Sequence, residues 1–150
     1  MPSPNPEYIN ELIRIVAEGP FPKHMAMKLA SIEFDKASIE LALDTYHLQP
    51  YGIVHGGVLA TLIDTATFWA AFLRIPEDAA LVNIDLKLNY LKPVISGKLI
   101  AKGRCVKTGR TICYSEATVF DQEGDTIAHG TSSLMVLPGK GMKINISKFR

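Results

Sequence analysis

Two cysteines and one tryptophan are all that 150 residues hold of those types, and opposite charges nearly cancel to a net +1. Cys105 and Cys113 fit neither a metal-ligand spacing nor a redox CxxC motif. If Lys107 to Arg110 forms a tight hairpin turn, Cys105 faces Ile112 and Cys113 faces Arg104, which sets the thiols on opposite sheet faces and argues against a disulfide. The small net charge argues against wholesale binding to nucleic acid or an anionic membrane. Pro2, Ser3, Pro4 and Asn5 supply neither a basic nor an apolar signal region, so no secretory signal is expected and a cytoplasmic location is. The most apolar window, Gly57 to Leu73, is short for a membrane span of roughly 20 residues. It also carries Thr61, Asp64, Thr65 and Thr67, so it reads as a buried helix. No repeat is evident, and the four histidines show no shared metal-ligand spacing, so no metal is expected.

With 47% hydrophobic and 21% charged residues, the chain has enough apolar material for a single core, and residues 1–150 are expected to form one domain. Asn5-Pro6 predicts a helix start, and Tyr8, Ile9, Leu12, Ile13, Ile15 and Val16 continue it at helical spacing to about residue 18, before Gly19-Pro20. Met25–Phe34 and Ser38–Leu43 read as a strand hairpin turning at Asp35-Lys36. Tyr46 to Val54 reads as an irregular loop, followed by a helix from near Gly56 to about Leu73. From Ala80 to Tyr90, Val82, Ile84, Leu86, Leu88 and Tyr90 alternate with polar residues, which predicts one strand. Lys98–Lys107, Thr111–Phe120 and Thr126–Leu137 should form an antiparallel meander, and the core should end near residue 138 before a short basic tail. A long helix that is apolar all round, among five or six antiparallel strands, implies an α+β fold in which the sheet curls around the helix.

Within that helix one residue is out of place. Asp64 is the only formally charged residue between Asp44 and Arg74. Burying an ionised carboxylate without a partner costs several kcal/mol, which makes Asp64 the first candidate for chemistry, ahead of a structural carboxylate bonded across an interface.

The run Gln49-Pro50-Tyr51-Gly52-Ile53-Val54-His55-Gly56-Gly57, followed by Asp64, resembles the hotdog-fold acyl-CoA thioesterases of the phenylacetate-degradation and aryl-CoA type. In that family His-Gly-Gly opens the central helix, a Gln or Asn precedes the His by six residues and an acid follows it by nine. The similarity extends through Asn83 to Pro93 and Ile127 to Thr131, covering roughly Ser38 to Leu137. It implies an acyl-CoA substrate with coenzyme A as part of it and no separate cofactor. It also implies a site formed by Gln49, His55, Gly56 and Asp64, with Asn83 where relatives place a water-holding Ser.

The chemistry of these residues agrees with that expectation. Thioester hydrolysis needs a base or nucleophile, together with donors for the developing oxyanion. A helix N-terminus presents free N–H groups, and Gly56 lets a ligand approach them. Gln49 can polarise the carbonyl through its amide, and His55 can touch substrate or fix the turn at the helix start. Gly56 and Asp64 stand about 12 Å apart along one straight helix at ~1.5 Å per residue, too far to act on one centre. A two-fold axis with antiparallel helices brings Gly56 of one chain to Asp64 of the other, so a homodimer is the expected catalytic unit. A dimer of dimers is the expected assembly, though no feature of the sequence separates it from a plain dimer.

Between Leu86 and Ser115 lie seven basic residues and no acidic one. Such a run is most often a solvated strand face, yet it can hold coenzyme A phosphates, and Arg110 with Gly109 and Lys107 is the expected contact. Leu62, Phe68, Trp69 and Phe72 are either an acyl pocket or simply core. Asp64 fits a general base and an anhydride-forming nucleophile equally well. Two other functions remain open: a noncatalytic hotdog module that binds an acyl-CoA or acyl carrier, and a hydratase or dehydratase on the same fold.

Overall fold

The structure, a computed structural model, describes residues 2–150. Helix α1, Pro6–Glu18, begins where Asn5 accepts a hydrogen bond from the Glu7 N–H, and it buries Tyr8 and Leu12. A short helix α2, Pro20–Met25, occupies the stretch read as a break, since proline suits a first helical turn as well as a stop. Strands β1 (Met27–Glu33) and β2 (Lys36–Ala42) form the expected hairpin, with Asp35 at φ 64° in its turn. Helix α3, Gly56–Phe72, follows. Next come β3 (Ala80–Asn83), β4 (Lys87–Tyr90), β5 (Lys98–Thr108), β6 (Ile112–Phe120) and β7 (Thr126–Leu137).

All strands join one antiparallel sheet in the order β1-β2-β5-β6-β7-β3, with β4 also paired to β7. Period-two alternation along β2, β5, β6 and β7 turns one face inward, where Ile39, Leu99, Ala101, Ala117, Val119 and Leu134 bury themselves against α3. Helix and sheet meet most closely at Gly103, where a Cβ would fall 2.2 Å from the Ala66 carbonyl oxygen. Only glycine allows that approach.

Two expectations need correction. The single strand from Ala80 to Tyr90 is broken at Ile84–Leu86, because Asp85 binds sideways to β7: its carboxylate accepts from the Ser133 N–H at 2.7 Å and its carbonyl from the Ser132 hydroxyl at 2.7 Å. The inward residues of β3 are Leu81 and Asn83, while Val82 and Ile84 stand outward, 41% and 51% exposed. Cys105 and Cys113 do not occupy opposite faces, since both are buried on the helix side. A bulge at Val106 shifts the register so that Cys105 pairs with Ser115 and Cys113 with Thr108, and both thiols remain free. The short basic tail is tied back to the rest of the chain: Pro4 bridges Phe149, and Lys148 is buried against the end of α3.

Candidate functional site at the start of helix α3

The loop before α3 is irregular in outline but held at every step. A 3-10 turn, Thr45–His47, ends in a buried His47 whose Nδ1 accepts from the Asp44 N–H at 2.9 Å. That leaves the proton on Nε2, which donates to the Met25 carbonyl at 2.8 Å, so His47 is a structural cross-tie. Val54 N–H bonds Val94 O and His55 N–H bonds His47 O, at 2.8 and 2.9 Å. Between them Gln49 to Gly52 makes a tight turn with Gly52 at φ 82°. The Gln49 amide oxygen accepts from the Tyr51 N–H, and its NH₂ has no acceptor among the described residues.

His55 is the N-cap of α3. Its Nδ1 accepts from the Gly57 N–H at 2.7 Å and its carbonyl from the Val58 N–H at 2.9 Å. His55 therefore acts on the helix start directly. Gly56 N–H is left without an acceptor among the described residues. Gly56 lines a cleft of about 400 Å³ together with Gln49, Ile53, Val54, Leu59, Tyr90 and Leu91, among others. The Tyr90 ring covers Gly56 so closely that a Cβ there would meet Cζ at 2.8 Å.

Asp64 lies elsewhere. The sheet and loops bury most of α3, but Gly57, Ala60, Thr61, Asp64, Thr65 and Phe68 form a less covered strip at spacings of three and four. The Asp64 carboxylate is half-buried and has no hydrogen bond or ion pair among the described residues. Burial pushes its pKa above the usual carboxylate range. Asn83, turned inward by β3, donates through Nδ2 to the Ser132 hydroxyl at 2.8 Å and to the Asp64 carbonyl at 3.3 Å. One chain thus brings Gln49, His55 and Gly56 together, and separately seats Asn83 beside the Asp64 turn.

The β5–β6 hairpin with Lys107, Gly109 and Arg110 belongs with the second group. Cys113 and Asn83 both pair with Leu134 on β7, whereas Tyr90 pairs with Ala128. Six strand residues separate those levels, roughly 20 Å at about 3.3 Å each. The basic run is also smaller than its count suggests. Lys92 pairs with Asp125 and Asp121, Lys98 with Glu40, and Arg104 with Glu116. Leu62, Trp69 and Phe72 are buried core, away from the cleft, and Phe68 lies on the less covered strip. Tyr90, which lines the cleft, has no mark in the sequence because it reads as one more member of an alternating strand. No signal in the sequence marks the break that precedes it.

A model of the thioesterase superfamily matches residues 51–128. The proofreading thioesterase EntH of Klebsiella pneumoniae is 29% identical over 108 residues, 72% of this chain and 79% of its own length. A Haemophilus influenzae protein with an esterase name is 32% identical over 114 residues, 76% and 83% of the two chains. Among solved structures, a thioesterase family protein from Silicibacter pomeroyi superposes with a TM-score of 0.80 at 27% identity, covering 88% of this chain and 99% of that one. A thioesterase from Haemophilus influenzae gives 0.80 at 25% identity, covering 87% and 90%. With its curled sheet around a long central helix, the chain belongs to the thioesterase superfamily, has the hotdog fold, and is a thioester hydrolase acting on an acyl thioester.

Proposed function

We propose that the protein hydrolyses the thioester of an aryl- or medium-chain acyl-CoA, as a homodimer in which Gly56 and Gln49 of one chain work with Asp64 and Asn83 of the other. The observation that carries this reading is the division of the site. An unpaired N–H opens on a cleft at the start of α3, and an unpaired carboxylate stands eight residues along the same helix. A two-fold axis that sets two α3 helices antiparallel gives each half what it lacks. The surface for such pairing is present: the less covered strip of α3 lies beside the outer edge of β3, where Val82 and Ile84 are exposed.

In each site Gly56 N–H and the Gln49 NH₂ donate to the thioester carbonyl oxygen as it becomes an oxyanion, and the His55 cap holds that donor in place. Asp64 takes a proton from water as the oxygen–carbon bond forms, and returns it to the thiolate as the carbon–sulfur bond breaks. Its alternative is direct attack to form a mixed anhydride that water then cleaves. Asn83 holds the water. A carboxylate kept out of water is a stronger base than an exposed one, which suits either role.

Ile53, Val54, Leu59 and Leu91 give the cleft an apolar lining suited to a compact acyl group. Lys107 and Arg110 meet the coenzyme A phosphates, and Gly109, whose own N–H bonds the Ile112 carbonyl at 2.8 Å, shapes the turn between them. Coenzyme A enters as part of the substrate, and the steps call on no separate cofactor or metal. Exposed Val106, Ile112 and Tyr114 support a second pairing into a dimer of dimers. The reading places the enzyme in the cytoplasm, acting on a small molecule and on neither nucleic acid nor membrane. No helix among the described residues is long and apolar enough to cross a membrane.

Asp64→Asn is expected to lower kcat at least ~100-fold across an acyl-CoA panel, with assembly unchanged by gel filtration. Near wild-type thiol release by that variant would sink the assignment.

A further inference from the structure

Besides Lys92, which is paired with Asp125 and Asp121, the cleft is lined by a polar side chain that none of these steps uses. Tyr90 ends β4, and the chain just beyond it is pinned where Leu91 and Lys92 N–H both bond the Ile127 carbonyl, at 2.8 and 3.2 Å. The break at Asp85 frees β4 from the path of β3 and lets it lay the Tyr90 ring over Gly56. A Cβ built on Gly56 would lie 2.9 Å from the Tyr90 hydroxyl oxygen. That hydroxyl has no protein partner among the described residues, and the side chain is 58% exposed along the cleft wall.

Three donors with no acceptor of their own therefore belong to residues that line one cleft: Gly56 N–H, the Gln49 NH₂ and the Tyr90 hydroxyl. An oxygen bonded to Gly56 N–H sits about 2.9 Å from that nitrogen, on the residue the phenol already covers. We propose that Tyr90 is a third donor to the thioester carbonyl oxygen and that its ring forms the wall against which the reacting carbonyl is aligned. This rests on the reading of Gly56 given above. The carbonyl oxygen gains negative charge only as the tetrahedral centre forms, so the hydroxyl acts mainly in the transition state and affects kcat more than KM.

The test is Tyr90→Phe in the full chain, with free thiol released from benzoyl-CoA and hexanoyl-CoA as the readout. The ring and its packing on Gly56 persist, so folding should not change. The expected result is a kcat lower by about 10- to 100-fold with KM within about threefold, on whichever of the two thioesters the wild type cleaves faster. Tyr90→Leu, which also removes the wall, should in addition raise KM. A purely structural tyrosine predicts the opposite order: Tyr90→Phe at wild-type kcat and only Tyr90→Leu impaired. That pattern overturns the proposal. Asp64→Asn assayed alongside separates the two failures. If it is inactive while Tyr90→Phe is unimpaired, only the role of Tyr90 falls; if it stays active, the functional reading itself falls.

Discussion

The two ends of helix α3 meet the same physical problem in opposite ways. Every helix leaves unpaired N–H groups at its start and unpaired carbonyls at its end. At the C-terminal end the protein supplies its own partner. Lys148, 1% exposed, donates to Phe72 O at 2.6 Å and Ile75 O at 2.9 Å, with its ammonium 4.3 Å from the centre of the Phe72 ring. Nearby, Arg74 forms a two-point ion pair with Asp35 and lies over Phe34, which stacks on Phe149. At the N-terminal end His55 satisfies Gly57 N–H, Val58 N–H turns back to His55 O, and the N–H of Gly56, a residue lining the cleft, is left without an acceptor among the described residues. One end is closed for stability. The other is left open, and it is the end that the proposed mechanism gives to the substrate oxygen.

Four experiments would break or sharpen that contrast. The largest effect belongs to Gly56→Ala, which keeps the N–H but drives a Cβ to 2.8 Å from Tyr90 Cζ. A fall in kcat/KM of about 100-fold is expected, roughly 2.7 kcal/mol of transition-state stabilisation, with little change in Tm. If the open end were merely structural, Tm would fall and turnover per folded molecule would hold.

Lys148→Met should do the reverse. It leaves two buried carbonyls unpaired, which costs about 1–3 kcal/mol of stability by denaturant titration, while activity per folded molecule is kept.

The closed end should also respond to pH. Burial lowers the Lys148 amine to about 8. Between that value and the ordinary lysine range near ~10.4 the unfolded chain binds a proton that the folded chain does not, so this site adds stability as pH rises. The Tm gap between wild type and Lys148→Met should therefore widen from pH 8 to 10. A gap that narrows would show the amine is not desolvated.

The smallest effect is expected at Asp64. Its raised pKa means the folded chain holds a proton that the unfolded chain has lost between the usual aspartate value near ~3.9 and the folded value. The site therefore loses stability as pH rises through that window. Asp64→Asn should be slightly more stable than wild type at neutral pH, with the gain gone below about pH 4. The acid limb of kcat/KM for the wild type should lie above the ordinary aspartate range for the same reason. Equal Tm values at neutral pH would argue for a partner on that carboxylate.

Much of the fold was legible because it rests on short-range rules. Asn5-Pro6 opens α1, the apolar window at Gly57 becomes α3, and β5, β6 and β7 fall where the turns at Thr108-Gly109 and Asp121 to Asp125 divide the chain. The errors cluster where one element answers to another. Nothing near Asp85 announces that Ser132 and Ser133 of β7 will pull it out of line, yet that break reverses which side of β3 faces inward and places both Asn83 and Tyr90. A single bulged residue, Val106, moved Cys105 and Cys113 onto one face.

The sequence by itself determined the helix, its lone carboxylate, the His-Gly-Gly start and the eight-residue gap between Gly56 and Asp64, because helical rise and capping depend on residues a few positions apart. Only the tertiary structure decided which helix-end groups are satisfied and which are left without a partner. Hydrogen-bond completion and desolvation are set by whatever folds back against a residue: Lys148 reaches Phe72 across 76 positions, and Tyr90 closes over Gly56 from the far side of a broken strand.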